Sequence, residues 1–189
     1  MSVKFYEFHN MLSLDQLKEI NNYIYNNFDR VTPTENGATS AHGEPIKFVD
    51  TKQIQWRKIK QYFEQPYNYI IKTINDKLGY LLHPYNDFNY VNYNVYSSEK
   101  NHSYGYHLDE CDDHEPKSTK GTILINLSDE EYKGGQFHYW HNGEDIHISH
   151  LDKPGSIIYL KPNIYHKVDP VVFGTRKTIS MFLTGPKFV

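Results

Sequence analysis

Apolar residues return at a helical interval near the start of the chain: Leu14, Leu17, Ile20, Ile24 and Phe28. Side chains three and four apart share a helix face, so this spacing predicts a helix over about 14–28. Ser13, with Gln16 three residues on, forms the capping-box pattern that satisfies the first backbone N–H groups of such a helix. A second helical stretch runs over 53–78, with Ile54, Trp56, Ile59, Phe63, Ile70, Ile71, Ile74 and Leu78 on its apolar side. Pro66 lies inside it. Because proline removes a hydrogen bond and clashes with the preceding turn, two helices broken near that residue are expected. Between the helical stretches, 32–45 is rich in Thr, Pro, Gly and Ser and reads as an exposed loop.

Past Leu81 the interval falls to two. Val91, Tyr93 and Val95 alternate with Asn92, Asn94 and Tyr96, and Ile123, Ile125 and Leu127 alternate within 121–127. Residues 137–141 and 145–149 flank Asn142-Gly143, a dipeptide suited to the left-handed residues of a tight hairpin. Two more strands are expected at 155–160 and 177–183. Helices first and short strands afterwards imply an α+β domain with a β-sandwich or jelly-roll core buttressed by the N-terminal helices. A length of 189 residues fits a single domain over 1–189, helical to about 80 and jelly roll from about 85. The 38% hydrophobic and 15% aromatic content suffices to pack its core.

A formal charge of -3 offers no basic surface for stable nucleic-acid binding. Cys111 is the one cysteine, which excludes an intrachain disulfide and a thiolate-rich zinc site. Residues 1–10 lack the apolar segment of a signal peptide, and no stretch reaches the length of a membrane span. The expectation is a cytoplasmic protein without membrane association.

The chemistry concentrates in His107-Leu108-Asp109, His166 and Arg176. Two imidazoles and one carboxylate on one face of an octahedral ion leave three positions open, the arrangement of non-haem Fe(II) oxygenases. His107 and Asp109 stand at i and i+2, so their side chains share a strand face. An H-x-D tripeptide alone says little among eleven histidines, and His150-Leu151-Asp152 repeats it. The second copy precedes Pro154-Gly155, where a connection between strands is expected, and stands close to His166. The first leaves room for several strands before His166 returns, and is the one selected. Arg176 on the next strand, projecting inward, requires an anion. Its planar fork suits the remote carboxylate of 2-oxoglutarate, whose 2-oxo acid end chelates a metal. Thr178, two residues on, faces the same way and offers that carboxylate a hydroxyl.

These residues carry a family resemblance. Ser103-Tyr104-Gly105-Tyr106-His107-Leu108-Asp109 resembles the Y-G-x-H-x-D segment of 2-oxoglutarate- and Fe(II)-dependent dioxygenases of the prolyl-4-hydroxylase-like (PKHD-type) group. The strand 122–129 with Tyr132-Lys133-Gly134-Gly135-Gln136 resembles that group's strand and Y-x-G-G-E, with Gln136 in place of Glu. Residues 153–160 resemble the strand before the distal ligand, and His166-Lys167-Val168-Asp169-Pro170-Val171 resembles H-x-V-x-P-V. The resemblance covers about 90–183. It implies a double-stranded β-helix with Fe(II) at its mouth, 2-oxoglutarate and O2 as cosubstrates, ascorbate as a stimulant, and Tyr96 as a cosubstrate contact. Tyr104 and Asn126 are candidates for orienting the metal ligands, with packing as the alternative for each.

Substrate is less constrained. A prolyl or other residue in a peptide or protein is the leading reading; a free amino acid, small metabolite or nucleobase is the alternative, and a metal-binding jelly roll without turnover the third. Segments 97–103 and 110–120 flank the proximal ligands and are polar enough to act as lids. The second is acidic, through Glu110, Asp112, Asp113 and Glu115, which suits a neutral or cationic substrate as well as plain solvation. Tyr85, Tyr90, Tyr93 and Tyr106 are candidates for a peptide groove or for strand packing. His138, His141 and His147 read as hairpin surface residues.

Overall fold

The computed structural model describes residues 4–9, 11–32, 39, 45–109 and 117–186. The acidic stretch 110–116 and most of the loop before Pro45 lie outside the described residues. Ser13 opens α1 (Leu14–Asn27) with the capping box: its hydroxyl accepts from the Gln16 N–H, and the Gln16 side chain accepts from the Ser13 N–H. The buried side of α1 carries Leu17, Ile20 and Ile24, as the helical interval requires.

The described strands, in chain order, are β1 (Phe5–Phe8), β2 (Arg30–Thr32), β3 (Lys47–Phe48), β4 (Asp50–Gln55), β5 (Tyr90–Ser97), β6 (Ser103–His107) and β7 (Lys117–Asn126), then β8 (Lys133–Gly134), β9 (Phe137–His141), β10 (Glu144–His147), β11 (Ile157–Leu160), β12 (His166–Val168), β13 (Val171–Phe173) and β14 (Thr175–Pro186). One antiparallel sheet has the order β1-β11-β7-β14-β5-β4-β2, a second β10-β9-β12-β6-β3, and β13 pairs with β8. The β9–β10 hairpin turns through Asn142 and Gly143, both at positive φ, with Glu144 opposite His141.

Alternation along the larger sheet separates two environments. On β5, Val91 and Tyr93 enter the helix-side core, whereas Asn92, Asn94 and Tyr96 line a cavity. Along β14, Ile179, Met181 and Leu183 meet the helices, and Arg176, Thr178, Ser180 and Phe182 face that same cavity. The opposite wall comes from the second sheet. A smaller apolar cluster including Phe137, Ile158, Leu160 and Val168 closes the space between the sheets.

One helix, α2 (Trp56–Leu78), replaces the expected pair and continues through Pro66. The missing proline N–H leaves the Tyr62 carbonyl without its helical partner, a defect costing about 3 kcal/mol. Trp56, Ile59, Phe63, Tyr67, Ile70 and Ile74 are buried on both sides of the defect, each at about 1.5–3 kcal/mol, and together they outweigh it. Residues 53–55, assigned to helix by their pattern, finish β4 instead. Gln55, the N-cap of α2, makes no side-chain cap. Asp29 arrives from beyond α1 to accept from the Gln55 N–H at 2.8 Å and from Lys58 Nζ at 2.6 Å. No helix among the described residues is long and apolar enough to cross a membrane.

Candidate metal centre

Paired strands bring the two histidines together. His107 on β6 stands opposite His166 on β12, and their ring centroids are 4.2 Å apart at 58°. Each Nδ1 lies 2.8 Å from a backbone carbonyl, of Gly105 and Ile164 respectively. A carbonyl only accepts, so each Nδ1 carries the proton and each Nε2 keeps its lone pair. Asp109, just past β6, places Oδ1 3.6 Å from His107 Nε2 and 3.7 Å from His166 Nε2. Its Oδ2 accepts from the Thr122 hydroxyl at 2.6 Å. One donor atom from each residue thus lies within 4.8 Å of the others, a group able to hold a metal ion.

Protonation states agree with that capacity. Burial lowers the His166 pKa to about 4, with Asp109 opposing and His107 reinforcing the shift. For Asp109, burial pushes upward but is outweighed by the two adjoining imidazoles and the hydrogen bond from the Thr122 hydroxyl, so its carboxyl lies below the ordinary range. Neutral imidazoles and an ionised carboxylate are the forms that bind metal.

A bulge explains how β6 supplies two residues to one side. His166 pairs with His107 but Val168 pairs with Tyr104, so β6 carries an extra residue between them. Tyr104 consequently lies flat on the His107 ring, centroids 3.6 Å apart at 8°. Phe137 stacks on His166 at 5.1 Å. Both imidazoles are held in plane by aromatic neighbours as well as by their carbonyls.

Arg176, directly opposite Tyr96 in the β14–β5 pairing, is 2% exposed and lines the cavity that holds the histidines. Among the described residues its Nε has no hydrogen-bond partner, and its guanidinium lies 5.5 Å from the Tyr96 ring centroid. A buried cation with an unanswered donor calls for an anion. Burial raises the Tyr96 pKa to about 12, Arg176 opposing and Asp109 reinforcing, so the phenol remains an O–H donor. Thr178 is buried beside it, with Asn94 Nδ2 at 3.5 Å from its hydroxyl and at 3.0 Å from Ser180 Oγ. The empty space of the cavity, with the open solvent at its mouth included, is about 600 Å³.

Gly134 and Gly135 pass close against their neighbours, Gly135 against Arg176. At Gly134, φ is +78° and a Cβ would stand 2.3 Å from the Pro170 carbonyl oxygen. At Gly135, φ is +66° and a Cβ would meet Arg176 Cδ and Val171 Cγ2, each at 2.9 Å.

For Asn126 and the four candidate groove tyrosines the packing alternative holds. Asn126 does not orient the metal ligands: its amide donates to the Tyr132 hydroxyl and the Leu151 carbonyl and accepts from the Ser128 N–H, clamping a turn. Thr122 takes that duty, and only its place in an alternating strand could have suggested it. Tyr93 faces α1, its hydroxyl donating to Asn21, and Tyr85 packs on Trp56 and Tyr67. Tyr106 stacks on Tyr165, and Tyr90 lies under Arg30, so neither lines the cavity. His138 is not a free surface residue, lying 3.0 Å from both Asp145 and Asp169. His150 sits in a short turn, while Asp152 pairs with His147 at 2.8 Å. Lys47, on β3, lines the cavity with its pKa lowered by burial, a residue the sequence did not single out.

Comparison with known proteins agrees with this geometry. Residues 91–184 match the family described as the 2OG-Fe(II) oxygenase superfamily. Among curated proteins no sequence matches the chain. The fold is similar to that of a Pseudomonas putida prolyl-4-hydroxylase, with TM-score 0.66 and 16% identity over 98% of this chain and 94% of that one. It also resembles a Trichoplax adhaerens prolyl hydroxylase in complex with a hypoxia inducible factor peptide fragment, with TM-score 0.67 and 15% identity over 96% and 84% of the two chains. A viral collagen prolyl hydroxylase from Paramecium Bursaria Chlorella virus-1, in a 2OG complex, gives 0.66 and 16% over 97% of each.

Proposed function

Because this chain belongs to the 2OG-Fe(II) oxygenase superfamily and is thereby an enzyme using Fe(II), 2-oxoglutarate and O2, we propose that it hydroxylates a prolyl or other residue of a peptide or protein, acting as one domain over 1–189. In this reading His107, Asp109 and His166 hold the iron, and Arg176, Thr178 and Tyr96 seat 2-oxoglutarate. The observation that carries it is Arg176: a fully buried guanidinium with an unpartnered Nε, in one cavity with two histidines and a carboxylate.

When bound, Fe(II) couples decarboxylation of 2-oxoglutarate by O2, to succinate and CO2, to insertion of oxygen into a C–H bond. The protein's part is positional. Carbonyls of Gly105 and Ile164 hold both Nδ1–H groups, so each Nε2 stays aimed inward. The Thr122 hydroxyl occupies Asp109 Oδ2 and leaves Oδ1 facing the histidines. Arg176 supplies the fixed positive charge for a carboxylate, while Thr178 and the Tyr96 phenol offer uncharged donors beside it. Leu124, Phe137, Leu151 and Val168 form apolar walls that keep water from the reacting centre.

A peptide substrate is supported by the Trichoplax enzyme of similar fold, whose structure holds a peptide fragment. The test is incubation with Fe(II), ascorbate and 2-oxoglutarate against panels of proline-containing peptides and free metabolites. Succinate release coupled to a gain of one oxygen on a peptide is expected. Succinate coupled only to a metabolite would assign the enzyme to small molecules, and neither product in any arm would leave a binding module.

A further inference from the structure

A second set of metal-binding side chains lies on the first strand of the larger sheet. Glu7 and His9 stand at i and i+2 at the end of β1, so they share a face, and His150 reaches them from the turn Ser149–Asp152. One donor atom from each of the three lies within 4.8 Å of the others. We propose that Glu7, His9 and His150 bind a divalent first-row ion of the zinc class.

The candidate iron centre provides the internal comparison. There the two imidazole centroids are 4.2 Å apart at 58°, and the nearer carboxylate oxygen is 3.6 Å from a ring nitrogen. Here the centroids of His9 and His150 are 4.3 Å apart at 63°, and Glu7 Oε2 is 3.6 Å from His9 Nε2. The agreement extends to the hydrogen bond behind the ligand. His150 is 8% exposed, and its Nε2 lies 3.2 Å from the Phe8 carbonyl oxygen. Since the carbonyl accepts, Nε2 bears the proton and Nδ1 keeps the lone pair, the arrangement found behind metal-bound histidines.

Two imidazoles and a carboxylate form a three-donor set that zinc completes with water. The surroundings differ from the first centre. Glu7 and His9 are exposed, whereas the residues of the first centre are half-buried or buried. The placement of the three residues gives the ion the role of a clip. It ties β1, which among the described strands pairs with β11 alone, to the turn that precedes β11.

The test is equilibrium dialysis of the full chain against micromolar zinc chloride, followed by elemental counting of zinc per chain. Wild type is expected to retain one more equivalent than Glu7→Gln or His9→Gln. Both replacements are on exposed residues, which avoids the folding risk of changing buried His150. Zinc content equal to wild type in either variant would overturn the assignment. Because the readout is a difference of one equivalent, it does not depend on what the His107 centre takes up.

Discussion

Thr122 shows how one hydroxyl can set a metal ligand. By donating to Asp109 Oδ2 at 2.6 Å it decides which carboxylate oxygen faces the histidines. Thr122→Val keeps the side-chain shape and removes the donor, so Fe(II) affinity should weaken about 10–100-fold, as for other lost orienting partners. Anaerobic titration of Fe(II), with circular dichroism to confirm an intact fold, checks it. Gly135 acts on the other half of the site. A Cβ there would meet Arg176 Cδ at 2.9 Å in a backbone conformation that L-residues disfavour. Gly135→Ala is expected to raise the KM for 2-oxoglutarate about tenfold, equivalent to ~1.4 kcal/mol, and to leave Fe(II) affinity unchanged. Equal losses in both would mean that the whole cavity had collapsed. The glycine pair was visible in the sequence as a motif, but the reason for Gly135 is close approach to an arginine forty-one positions on, and for Gly134 close approach to the Pro170 carbonyl.

Elements were legible to different degrees. The capping box and five apolar positions placed α1 closely, alternation found β5 and β7, and the Asn142-Gly143 turn found β9 and β10, because these signals are local. Pro66 misled: a local rule demanded a break that distant packing overrode. The strands β1 to β4 went unseen, being short or polar, and the last three residues of β4 were read as helix. Asp29 belongs to the same lesson, since α2 takes its N-terminal partner from beyond α1. Its carboxyl lies below the usual range because burial, which pushes upward, is outweighed by Lys58 and the Gln55 N–H. A depressed folded pKa means that the carboxylate stabilises fully above the unfolded value of about 3.9, and that the contribution fades as pH falls through the folded value. Asp29→Asn should therefore lose about 1 kcal/mol at pH 7, the size of a helix cap, and less near pH 3. Urea unfolding at the two pH values measures this, and a loss independent of pH would refute an ionic contribution.

For the whole molecule, the two sheets form opposite walls of one cavity, and ligands held there should stabilise both. A ligand present at 100 times its Kd adds about 2.7 kcal/mol by linkage, or roughly 5–10 °C in Tm for a chain of this size. Mn(II) and then 2-oxoglutarate should each raise Tm by such an increment in anaerobic thermal scans. Arg176→Met should keep the first and lose the second; retention of both would remove Arg176 from the cosubstrate site. Sequence by itself determined the chemistry on offer and the local rhythm, since residue types and intervals of two or three to four are written within a few positions. Only the tertiary structure decided which of the many histidines, tyrosines and polar strand residues meet. Register across β6 and β12, the extra residue in β6, and the partners of Thr122 and His150 depend on contacts between segments separated in the chain. Such contacts are chosen by packing of the whole, and no window of sequence contains them.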